Sequence, residues 1–532
     1  MNRREMLKSS AAAALTLRSK HRAFSEAPAP RPIPQYDIFE ATLEGPATGN
    51  PFLEITLSAT FTLEHRSIVV DGFYDGNGSY KIRFMPDTQG SWSYTTSSNT
   101  VALNNKTGRF TCTAPGKSNH GPVGVRYTHH FAYADGTPYF PFGTTCYAWV
   151  HQGDAMEQET LATLRTAPFN KIRMCVFPKH YEYNHNEPQF YVFPRLQGPS
   201  DEHPQGINDY TRFEPAFFAH FEKRLAQLRE MNIEADLILF HPYDRWGYAG
   251  MAPEVDERYL RYLIARLAAY RNVWWSLANE FDLMKAKTRQ DFDHLIHVVQ
   301  QFDPYQHLRS IHYSKTMYDY ASPAITHASL QTYDFDSGPK WAKEWNKPIV
   351  YDEVQYEGNL RSRWGNLTGE EMTRRFWLGI VAGCYVTHGE TYLNPELKAE
   401  ESSTQKIWWS HGGRLSGSSP QRIGFLRTLL EESTRRGFDA TENPYYLNAS
   451  STHSGKGAPE AILYYFDFHQ PGEYEFPLGD AHYQAELIDP WEMKRTPLTG
   501  TYTGKARLTL PVKPYQAIRF SLAGQMPTSP GV

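Results

Sequence analysis

Only four cysteines occur in the 532 residues (Cys112, Cys146, Cys175 and Cys384), too few for a disulfide framework. Three of them fall inside apolar, strand-like segments, where buried free thiols are expected. Lys/Arg-rich runs are missing past the N-terminus and the net charge is −4, so the basic footprint that nucleic acid requires is absent. No apolar stretch approaches the ~20 residues of a membrane span. The sequence therefore predicts neither a nucleic-acid nor a membrane partner.

What the chain has is aromatic side chains, 14% of the total, with 34 Tyr, 30 Phe and 12 Trp. Such an excess suits proteins that stack flat ligands such as sugar rings, and it equally suits β-rich cores. A chain of this length divides into two to four domains at ~100–200 residues each. The opening "MNRREMLKSSAAAALTL" pairs Arg3 with Arg4 ahead of a short Ala-rich run, in the manner of a bacterial twin-arginine export signal. Residues 1–30 are thus expected to be an export signal and linker, and the protein periplasmic or secreted.

Three regions follow. From 36 to 118, short alternating runs such as "FLEITLSATFTL" and "GSWSYTTSS", with a "DGNG" hairpin signal, predict a small immunoglobulin-like β-sandwich. From 125 to 435, strands alternate with amphipathic helices, for example "AFFAHFEKRLAQLREMN" before "IEADLILF". Eight strands with crossovers are counted, which predicts an α/β protein built on a (β/α)₈ barrel. An open doubly wound sheet would favour a Gly-rich phosphate turn after the first strand, and "GTTCYAW" is not one. From 440 to 524 the pattern is again strands and turns, predicting a second β-sandwich.

Barrel chemistry sits at the C-terminal strand ends. Those ends offer Tyr147 and Trp149 on the first strand, His180 on the second, and His241, Asp244 and Trp246 on the third. The fourth offers Asn279 and Glu280, the fifth His312, and the sixth Gln331 and Tyr333. Glu353 ends the seventh, and the eighth brings His388, Glu390 and Tyr392. Glu280, in "WWSLANEFD", is tolerated after an apolar run because the strand ends there. Glu353, in "KPIVYDEVQYEG", lies three strands on, across the barrel. Two carboxyls ~5–5.5 Å apart are what a retaining glycosidase needs. Asp352 precedes Glu353 and is expected to point out of the barrel by strand alternation. Metal catalysis has no support, since the first strand lacks His-x-His and no H-E-x-x-H occurs. No metal or other cofactor is expected.

The "NE" pair ending the fourth strand and the Glu ending the seventh resemble the clan A glycoside hydrolases. With "GCYVTHGETY" and "WWSHGGRLSGSSP", the chain is similar to the apiosidase-like barrels, which often carry an N-terminal immunoglobulin-like domain and a C-terminal sandwich. The resemblance implies Glu280 as general acid/base and Glu353 as nucleophile. Together with the export signal, it implies an exported enzyme that hydrolyses plant or microbial polysaccharide or oligosaccharide with retention. Asn279 is expected to bond the sugar 2-hydroxyl. His180, His312 and Tyr333 are expected to orient substrate or nucleophile, and Glu390 to bind hydroxyls. Trp149, Trp246, Trp408 and Trp409 are candidates to stack on sugar rings or to fill the core. Long loops at about 178–212 and 393–420 favour a closed, exo-acting pocket over an endo-acting cleft. A carbohydrate-binding protein on an inactive barrel is the remaining alternative, and two intact glutamates count against it.

Overall fold

The structure is a computed structural model and describes residues 32–393, 406–441, 448–451 and 457–524. The expected export signal lies outside these residues.

The central sheet has eight parallel strands: β1 (Phe142–Thr145), β2 (Lys171–Cys175), β3 (Glu234–Phe240), β4 (Val273–Ala278), β5 (Arg309–Ser310), β6 (Ala328–Gln331), β7 (Ile349–Glu353) and β8 (Tyr385–His388). Their hydrogen-bonded order runs β5-β4-β3-β2-β1-β8-β7-β6, and a parallel bridge between His312 and Ser329 closes the ring. A parallel strand buried on both faces reads as a continuous apolar run, and "VWWSLA" of β4 is buried at every position.

Among the described residues, seven helices of eight or more residues pack outside the barrel: α1 (Asp154–Leu164), α2 (Pro215–Glu230), α3 (Pro253–Leu267), α4 (Arg289–Phe302), α5 (Gly338–Trp345), α6 (Gly369–Val381) and α7 (Ser419–Ser433). Their starts follow sequence rules. Thr288 and Asp291 form a reciprocal capping box on α4, and the Thr368 side chain accepts from the Glu371 amide at α6. No helix stands between β5 and β6. There the buried Tyr320 hydroxyl donates to the carbonyls of Ile311 (2.9 Å) and Ser329 (2.5 Å), tying the two strands directly.

The barrel interior is polar at mid-height. Lys171 donates to Asp236 (2.9 Å) and Asp352 (2.7 Å), while Ser329 and Thr387 also donate to Asp352 at 2.6 and 2.8 Å. Asp352 thus points into the barrel, not out of it as alternation predicted. The register explains the reversal: Leu330 pairs with Tyr351 but Gln331 pairs with Glu353, so Asp352 is the extra residue of a bulge. Although burial pushes Asp352 up, Lys171 and Arg173 hold it well below the usual carboxylate range.

Seven strands over residues 33–113 form the N-terminal sheet region, folded around Phe61, Ile82, Phe84, Trp92 and Phe110. Arg83 fastens it to the barrel, bonding Glu222 of α2 (2.9 Å) and the Arg266 carbonyl of α3 (2.8 Å). The C-terminal region is a six-stranded sheet whose long hairpin, Glu473–Asp489 and Lys494–Thr509, closes over its own core. Alternation serves both of its faces: Leu463 and Tyr465 join the barrel core, while Ile462 and Tyr464 join the sheet's own.

Candidate active site

One cavity of about 320 Å³ opens at the C-terminal ends of the strands, and both Glu280 and Glu353 line it. Each acid arrives through a break in strand regularity. Past the end of β4, Glu280 takes a left-handed backbone (φ 50°, ψ 53°), which lets consecutive Asn279 and Glu280 side chains meet. Non-glycine residues rarely adopt it, and the cost is about 1–3 kcal/mol. On β7 the bulge at Asp352 turns Glu353 inward as well.

A hydrogen-bond chain joins the two acids. The Tyr147 hydroxyl donates to Glu353 Oε1 and to Asn279 Oδ1 (3.2 Å), and Asn279 Nδ2 donates to Glu280 Oε2 (3.2 Å). Arg173 lies beneath, donating to Asn279 Oδ1 (2.8 Å), the Tyr147 hydroxyl (3.0 Å) and Glu353 Oε1 (3.4 Å). The Tyr243 hydroxyl donates to Glu280 Oε2. Among the described residues, the bonds to Glu353 end on Oε1, and Oε2 has no protein donor. Burial first, and then the neighbouring Glu280 charge, push the Glu353 carboxyl up to about 7, against Arg173, Tyr147 and Lys179. Burial also drives the Tyr147 and Tyr243 phenols well above their ordinary range, so both stay donors.

The walls come from the loops beyond the strands. Tyr181, Tyr356, Trp364 and Trp409 form a cluster of edge-on and tilted rings, and Gln331, Tyr333 and Gln355 also line the cavity. Tyr333 lines the cavity half exposed at its rim, with Arg375 over its ring, and it is the Tyr147 hydroxyl that bonds Glu353. His312 is fully buried behind Glu353, its Nε2 3.9 Å from Oε1, and burial holds it neutral.

Several expected site residues serve the scaffold instead. Trp149 begins a 3₁₀ turn that drives its indole into the core, where it donates to Met174 Sδ (3.2 Å). Trp246 donates to Glu187 (2.8 Å) and Trp408 to Thr144 (2.8 Å), both fully buried, and of the tryptophan pair only Trp409 lines the cavity. Asp244 accepts the amides of Trp246 (2.7 Å) and Ala249 (2.8 Å) and so shapes a turn. His241 is buried against the Phe177 carbonyl (3.2 Å), and His180 stacks on His185 outside the cavity. Asn279 lies behind the lining, its oxygen taken by Arg173 and Tyr147.

His388 and Glu390 also lie off the cavity. With Glu357 they bring three possible metal-ligand atoms within 4.8 Å of one another. The backbone amides of Gly417 (2.9 Å, to Glu390), Ser418 (2.7 Å) and Ser419 (3.2 Å, both to Glu357) already occupy those carboxylates. Holding the start of α7 accounts for both acids.

Tyr243 and Lys179 were missed by the sequence reading. Both follow the strand ends by a few residues, and nothing in their spacing separates them from the neighbouring His241 and His180.

The model of the apiosidase-like catalytic domain matches residues 126–435, flanked by matches to two domains of unknown function, DUF5060 over 32–99 and DUF5605 over 451–521. A Bacteroides vulgatus protein of solved structure, named provisionally as a glycoside hydrolase, is 39% identical over 92% of this chain and 99% of its own, with a TM-score of 0.86. A glycoside hydrolase family 5 structure from the same species shares the fold at 14% identity, covering 77% of this chain and 95% of its own, with a TM-score of 0.56. No curated protein matches the chain. By the extent of the domain match and the 39% relative, this chain belongs to the apiosidase-like family and is a glycoside hydrolase.

Proposed function

We propose that the enzyme hydrolyses O-glycosidic bonds by a retaining double displacement, with Glu353 as nucleophile and Glu280 as acid/base. The observation that carries this is the pair of buried carboxyls, from β4 and β7 across the barrel, facing one small cavity. In the first step Glu353 Oε2 bonds to the anomeric carbon while the glycosidic C–O bond breaks, and the leaving oxygen takes its proton from Glu280. In the second, water gives a proton to Glu280 as it attacks the same carbon, and the Glu353 ester bond breaks. Arg173 and Tyr147 hold Oε1 and steady the carboxylate, which leaves Oε2 for the attack.

A cavity of about 320 Å³ stands at the small end of the ~300–1,000 Å³ span of ligand sites. That size, with walls from several loops, supports exo action on the end of a plant or microbial polysaccharide or oligosaccharide. Part of the 393–420 loop expected to close it, residues 394–405, lies outside the described residues. Export to the periplasm or medium rests on the paired arginines of the N-terminus, and cell fractionation tests it.

The catalytic test is a panel of aryl glycosides, pentofuranosides included, offered to the wild type and to Glu353→Gln. Turnover by the wild type and none by the variant supports the reading. Sugar binding without any turnover would replace it with a carbohydrate-binding role.

A further inference from the structure

Tyr243 lines the cavity, and the chemistry above gives it no task. It follows β3 in "FHPYDRW", on a loop fixed from both sides. Its carbonyl accepts the His180 amide (2.8 Å), and the next residue, Asp244, ties off the turn beyond it. The ring is confined as well: Tyr181 meets it edge-on at 5.1 Å, and the Lys179 ammonium lies 4.3 Å from its centroid. The hydroxyl of that fixed ring donates to Glu280 Oε2. Burial first, and then the Glu280 charge, keep the phenol protonated, so the donor persists across the working pH range.

Asn279 Nδ2 donates to the same oxygen (3.2 Å), and among the described residues nothing donates to Oε1. Two donors make Oε2 the carbonyl-like oxygen of the protonated acid, because an O–H placed there would face them. The proton is therefore carried on Oε1. Once it leaves, negative charge spreads onto Oε2, and a hydrogen bond to a charged acceptor is stronger than one to a neutral acceptor. The Tyr243 bond thus tightens as the leaving oxygen is protonated, which is stabilisation specific to the transition state. We propose that Tyr243 is a positioning residue for the acid/base, holding the Glu280 proton on Oε1 and steadying the anion formed when the leaving group takes it. This rests on the glycosidase reading above.

The test is a series of aryl glycosides of one sugar, from dinitrophenyl through nitrophenyl to phenyl, in falling order of leaving-group ability. Dinitrophenolate leaves with little help from an acid, whereas phenolate needs the proton. Tyr243→Phe deletes one oxygen. It is expected to lower kcat/KM on the phenyl glycoside by about 10–100-fold, the effect of a lost charged hydrogen bond, and far less on the dinitrophenyl one. Loss of mere structural support would lower every member alike. In Glu280→Gln, which has no proton to give, adding Tyr243→Phe is expected to leave the leaving-group dependence where it is. Equal losses or no loss along the series overturn the role of Tyr243 and leave the glycosidase reading intact. So does a steepening that persists in the Glu280→Gln background. A wild type that cleaves none of the series removes that reading and the proposal together.

Discussion

Burial and the neighbouring Glu280 carboxylate raise Glu353 from an ordinary value of 4.5 to about 7, which has consequences for both activity and stability. An activated aryl leaving group needs little from the Glu280 proton but still needs the ionised nucleophile, so kcat/KM on such a glycoside falls as pH drops below about 7. Glu280→Gln removes the negative neighbour and moves that acid limb to lower pH. Tyr147→Phe removes a donor to the ionised form, so its limb moves the other way, and kcat/KM drops by about 10–100-fold for a lost charged hydrogen bond of ~1.5–3 kcal/mol. A pH–rate series on the three proteins checks both directions; limbs that move together would contradict the assignment. For stability, the folded state holds the Glu353 proton more tightly than the unfolded one. The resulting cost is absent below about pH 4.5 and complete above about 7, on the order of 3 kcal/mol. Glu353→Gln, which has no charge to bury, therefore melts above the wild type at pH 8, and the gap closes toward pH 4.5.

At the scale of elements, the barrel strands were legible because buried parallel strands read as near-continuous apolar runs, as "VWWSLA" does. Which side chains face the cavity was less legible. Alternation fails at the two acids, once through the left-handed Glu280 and once through the bulge at Asp352, and both depend on pairing with other strands. Parity also passes over Trp149, two residues beyond Tyr147, because a 3₁₀ turn begins there and redirects it to the core. Composition could not sort Trp408 from Trp409, since both are buried and only the fold tells wall from filler. The Lys171–Asp236–Asp352 cluster is what keeps β2, β3 and β7 in place beneath the site. Lys171→Met would leave two carboxylates inside the barrel without their cation, a loss of about 3–5 kcal/mol that thermal or denaturant unfolding measures. An unchanged midpoint would show that the cluster does not hold the barrel.

For the molecule as a whole, the N-terminal sheet region is part of the barrel's packing, not a pendant module. Arg83 and Asp75 reach Glu222 and Arg266 across the boundary, and Phe73 belongs to the barrel's own core. The alternating pattern of residues 36–118 does not reveal this, because Phe73 and the charged residues that make the contacts sit inside otherwise ordinary strands. A chain beginning at residue 120 would keep every cavity residue named above but lose those partners, exposing Tyr262 and leaving Arg266 half paired. It is expected to melt well below the full chain, while any fraction that folds retains the acid pair. Melting at the temperature of the full chain would show that the domains are energetically separate.

The most direct test of the central claim follows the stereochemistry of the reaction by proton NMR, using whichever aryl glycoside the wild type turns over. Attack by Glu353 followed by attack of water inverts the anomeric centre twice. The first sugar product is therefore predicted to carry the configuration of the substrate, before mutarotation sets in. A first product of opposite configuration would contradict the account and remove Glu353 as nucleophile.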